Sequence, residues 1–109
     1  MAKNLKLLHY KDSLTFSEQV NCCGIVLKFK GKFIGESQLN DNWYTGTSNS
    51  KIMCISFNGD DNVTGLFTFQ GKFTIVGIQI VTQSLDSLGC SYEKLDIDLF
   101  GRSKETFED

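Results

Sequence analysis

The chain carries one histidine and four cysteines, and the histidine sets the first limit on its chemistry. A serine or cysteine nucleophile needs a base within hydrogen-bond reach, so His9 is the one imidazole that could serve. It sits beside Tyr10 on a segment read as an edge strand, whose alternation Leu7-Leu8 interrupts, and histidine there is ordinarily a surface or rim residue. No Gly-x-Ser-x-Gly turn presents a serine. A small hydrolase centred on His9 is therefore the third reading, and it requires Cys22, Cys90 or an aspartate beside the ring.

Metal chemistry has little to build on. Zinc takes four nitrogen or sulfur ligands, usually in closely spaced pairs, whereas Cys22 and Cys23 are adjacent and Cys54 and Cys90 lie far along the chain. Adjacent residues on a strand point to opposite faces. The sequence implies no cofactor. Asn58, Asp60, Asp61 and Asn62 group oxygen ligands around Gly59 and form a weak calcium candidate, without the alternating acids and distal Glu of an EF-hand. A tight turn explains the same residues, because Asn and Asp tolerate left-handed backbone. Asp96 and Asp98 share one strand face about 6.6–7 Å apart, compatible with paired-carboxylate work; a solvated strand face has the same pattern.

The strongest binding candidate is Asn40-Asp41-Asn42-Trp43-Tyr44-Thr45, the start of a polar segment that runs to Ser50 and holds the single Trp. Read as a loop of about eleven residues, it is longer than most hairpin connections. Aromatic rings among amides, a carboxylate and hydroxyls suit a sugar or a protein hot spot. The competing reading folds Trp43 back as a plug at the end of the core. Lys28, Lys30 and Lys32 make a basic stripe that could meet an anionic partner, or simply face water.

These residues are positioned mainly by strands. Ile25, Leu27, Phe29 and Phe33 alternate with the lysines, and period two is the mark of a half-buried strand. Residues 52–57, 66–69 and 73–83 read as further strands, the last central, with Gly77 at a bulge. Residues 4–10 read as an edge strand, and Leu95, Ile97 and Leu99 as a final one. One short helix is expected near residues 15–23, from the Thr15/Glu18 capping-box spacing and a closing Gly24. Glycine and Asn/Asp supply all turns, including two Gly-Lys-Phe segments at 31–33 and 71–73 read as hairpins. Residues 21–33 also align with 62–73 at an offset of about 40, which would make a duplication of that unit.

The fold expected is thus all-β and mostly antiparallel: a single sandwich or flattened barrel of about seven or eight strands over residues 1–101, with a polar tail at 102–109. The 109 residues suit one domain. With 11 basic against 13 acidic residues, the net charge of −2 lacks the excess that nucleic-acid binding needs. No segment is apolar for the roughly 18–20 residues of a membrane helix, and no export signal opens the chain. The cysteines are therefore expected as thiols in the cytoplasm. The leading functional expectation is a small non-enzymatic intracellular binding or assembly module, phage- or bacteria-like in its economy, acting through protein contacts and self-association. A carbohydrate-binding module built on Trp43 and Tyr44 is the alternative.

Overall fold

The computed structural model describes residues 5–84, 87–95 and 97. Within them the chain forms ten strands: β1 (Lys6–His9), β2 (Ser13–Cys22), β3 (Gly24–Gly31), β4 (Ile34–Ser37), β5 (Trp43–Thr47), β6 (Lys51–Ser56), β7 (Asp61–Gln70), β8 (Phe73–Val81), β9 (Ser87–Leu88) and β10 (Ser91–Lys94). They make two five-stranded sheets, ordered β10-β1-β2-β7-β4 and β5-β6-β3-β8-β9. All pairings are antiparallel except β1 with β10. The all-β expectation holds, as does the sandwich, but the described residues form ten strands where seven or eight were expected. Asp96, Asp98 and the tail at 102–109 fall outside the described residues.

Period two works where it was clearest. Along β3, Ile25, Leu27 and Phe29 are buried while Lys28 and Lys30 are exposed. On β6, Ile52, Cys54 and Ser56 point inward. The two inner faces meet in one core that joins Leu7, Leu14, Phe16 and Leu66 of the first sheet to Ile25, Leu27, Ile52 and Ile80 of the second. Burying such side chains contributes about 1.5–3 kcal/mol each. The expected bulge at Gly77 is present: Lys28 pairs with Gly77 and Phe29 with Ile75, so Val76 is the extra residue.

Residues 15–23 are not a helix. Residues 15–22 belong to β2, and the Thr15 hydroxyl donates to the Thr64 carbonyl of β7 at 2.8 Å instead of capping a turn. The misleading spacing has a physical origin. The register of β2 on β7 breaks at Leu14/Thr15 and again between Thr15 and Val20. Leu14, Thr15 and Phe16 are buried in succession while Ser17, Glu18 and Gln19 are exposed, so the simple alternation that signals a strand is lost. β1 is likewise interior, not an edge, because β10 pairs along its far side.

The two Gly-Lys-Phe segments are not hairpins either. They carry the chain between sheets, from β3 to β4 and from β7 to β8. Gly31 and Gly71 have φ of +113° and +99°, and the segments face one another, with the Lys32 amide donating to the Lys72 carbonyl. A Cβ on Gly31 would lie 2.5 Å from the Lys72 carbonyl oxygen, and one on Gly71 2.5 Å from that of Lys32. Glycine is required by both backbone angle and space. Four neighbouring strands of the first sheet run β1-β2-β7-β4 and four of the second run β5-β6-β3-β8, so β3 and β7 each lie in the sheet opposite to the strands that precede them.

Candidate functional site

The segment expected as a long polar loop has a strand at its centre, β5, with turns on either side. Trp43 opens β5, and its ring is 8% exposed and part of the core. Its Nε1 donates to Asp61 Oδ2 at 2.9 Å, which also accepts from Asn40 Nδ2 at 2.9 Å. The Asn40 carbonyl in turn takes the Trp43 amide, and its side-chain oxygen takes the Asn42 amide. Asn40, Asn42 and Asp61 therefore lock the indole inward, and the plug reading replaces the exposed-ring reading. Asp41 and Asn42 remain exposed beside it. Tyr44 points out, 57% exposed, and Thr45 turns its hydroxyl inward toward Cys54.

The calcium candidate is spent on similar work. Asp61 Oδ1 accepts the Asn62 amide, and its hydrogen bonds from Asn40 and Trp43 hold the carboxyl below its usual range. Asp60 Oδ1 accepts the Gln83 amide at 2.7 Å, while Asn62 Oδ1 accepts from Asn21. The carboxylate oxygens that calcium would take are already aimed at N–H donors.

His9 is buried, not at a rim: it is 4% exposed, stacks on Phe73 at 4.5 Å and meets Phe69 edge-on at 5.1 Å. Nδ1 is hydrogen-bonded to the Tyr92 hydroxyl. Lys94, whose ammonium donates to the Phe73 carbonyl at 3.0 Å, adds charge nearby. Burial first, then Lys94, lowers the imidazole to about 4. Such a ring is neutral at physiological pH and enclosed by aromatics. Its partner is a phenol, not the cysteine or aspartate the hydrolase reading requires. The thiols are no better activated. Burial pushes Cys22 to about 12 and Cys54 and Cys90 to about 11, and Cys23 is also raised. All four are free, and a thiol held so high is a poor nucleophile.

One surface does stand out, and it was only half visible in the sequence. On the outer face of the second sheet, Tyr44 lies opposite Ile55, and Met53 lies between Gly46 and Val26. Phe57 follows just past β6 and is 70% exposed; Met53 and Ile55 are each 43% exposed. Four large apolar side chains thus crowd the β5–β6 side of one face. Below them Lys28 stands directly opposite Lys51, with Lys30 and Lys32 also exposed. The lysine stripe is therefore real on the surface and wider by one residue. The signal for Met53, Ile55 and Phe57 was the run Lys51–Phe57, whose alternation leaves apolar residues on both faces.

Comparison of the chain with family models, with curated proteins and with solved structures gives no match. Among the described residues no helix is long and apolar enough to cross a membrane.

Proposed function

We propose that the chain is a non-enzymatic binding or assembly module, and that it meets other proteins through the outer face of its second sheet. The observation that carries this reading is the cluster Tyr44, Met53, Ile55 and Phe57 beside Lys28 and Lys51. Neither feature helps the isolated fold. Exposed apolar side chains in one patch are a solubility cost, and like charges directly opposite on a sheet are mildly destabilising. Local conflicts with foldability are expected where a surface serves a purpose other than folding. Aromatic and Met side chains over strands, flanked by cations, suit a protein surface with an apolar centre and acidic rim.

Four free thiols and the near-neutral charge agree with a reducing, intracellular setting in which nucleic acid and membranes are not the partners. A sugar site would have to rest on Tyr44 without the Trp43 ring, so the protein partner is the better reading. We also read the matched strand orders and the facing Gly-Lys-Phe crossovers as a duplication of a four-strand unit.

The test places a photo-cross-linking amino acid at Phe57, and at Glu18 of β2 as a control, in cells making the protein at its natural level. Adducts with protein at position 57 and not at 18 are expected. Equal labelling at both positions, or none at either, would remove the reading.

A further inference from the structure

Resting on that reading, we infer that the partner is a second copy of this chain, joined antiparallel along β5 about a two-fold axis at Thr45. Of the edges that the described strands present, β5 alone is undefended. β9 has two residues, β4 carries Glu36, and β10 carries Glu93, paired with Lys6, and Lys94. Short or charged edges resist pairing. β5 reads Trp-Tyr-Thr-Gly-Thr, with no charge and no proline.

The direction of its free groups follows from its pairing with β6. The Phe57 amide donates to the Asn42 carbonyl and the Ser48 amide to the Lys51 carbonyl. Because hydrogen bonds in an antiparallel ladder fall on alternate residues, Tyr44 and Gly46 bond to β6, and Trp43, Thr45 and Thr47 aim outward. The Trp43 amide turns back to Asn40. Left facing the edge are the Trp43 carbonyl and both backbone groups of Thr45 and Thr47.

A copy centred on Thr45 answers four of these five groups; the Thr47 carbonyl, whose counterpart would be the Trp43 amide already held by Asn40, stays open to water. Thr45 exchanges both bonds with its counterpart, and each Thr47 amide reaches the Trp43 carbonyl across the axis. In this register Tyr44 of one chain lies opposite Gly46 of the other. The outer face then runs Ile55, Tyr44, then Gly46 and Met53 of the second copy, and the same in reverse. Each Tyr44 ring already leans over Gly46 of its own chain, 3.5 Å from the Cβ position there, so the two rings meet over the glycines at the axis, with Met53 of each chain beside them. No charged pair is opposed across the axis, so the edge is self-complementary, as an isologous contact must be. The two apolar patches become one band.

Sedimentation velocity of the full chain at tens of micromolar should give a dimer that dissociates on dilution. Thr45→Pro deletes an outward amide on an edge strand, where proline is tolerated, and should weaken dimerisation roughly tenfold or more. Gly46→Lys provides a second route, because a Cβ there meets only its own Tyr44 ring at 3.5 Å and the monomer keeps its fold by circular dichroism. It should also dissociate the dimer by setting a charged side chain directly opposite the partner's Tyr44 at the axis. A dimer unaffected by both folded variants, or a monomer at every concentration, overturns the inference. A monomer that still forms adducts from position 57 loses the second copy and keeps the interface. A monomer without adducts loses both.

Discussion

At the scale of single residues, His9 and Trp43 show how types can be read correctly and roles misread. The sequence could not place the histidine, because the rings that enclose it, Phe69, Phe73 and Tyr92, come from three strands far along the chain. Its burial has a pH consequence. The folded pKa of about 4 lies below the ordinary imidazole value of 6.5, so the unfolded chain binds the proton more readily. The stability contributed is complete above about pH 6.5 and is lost as the pH falls through 4, on the order of 2–3 kcal/mol in all. Urea unfolding at pH 7 and about pH 4.5 should show this loss in the native chain and much less in His9→Gln. Equal pH dependence in the two would contradict the assignment. Trp43 was recognisable as special, but its inward aim depends on Asp61, eighteen residues on. Trp43→Phe should cost about 1–3 kcal/mol, and acrylamide should quench native Trp43 weakly until the chain unfolds.

At the scale of elements, regular alternation was legible and irregular alternation was not. β3, β6 and the bulged β8 follow directly from their apolar spacing. β2 did not, because around its breaks in register four successive residues, Ser13 to Phe16, are buried and the next three are exposed, which hides the alternation of a strand. The Gly-Lys-Phe segments were located correctly as reversals but not as crossovers, since a glycine with positive φ serves either purpose. Their pairing yields a sharp expectation. Gly31→Ala and Gly71→Ala should each cost about 1–3 kcal/mol, because a Cβ adds left-handed strain and runs into the facing carbonyl. Gly65→Ala, with nothing within 4 Å of its Cβ position, is the control. Chemical denaturation of the three variants checks this, and equal effects would show that the crossovers are not so tightly opposed.

At the scale of the whole molecule, two five-stranded sheets enclose one core and leave one outer face apolar at one side and basic at the other. The sequence indicated association through an unprotected sheet edge without saying which edge. That choice needs the pairing order, which no local pattern encodes. The most direct test is amide hydrogen exchange at Thr45 and Thr47, measured as a function of protein concentration. Mass action requires both amides to become protected as concentration rises, while the Lys30 and Gln70 amides at the far end of the sandwich do not change. Exchange at Thr45 and Thr47 that stays fast and independent of concentration would contradict the account.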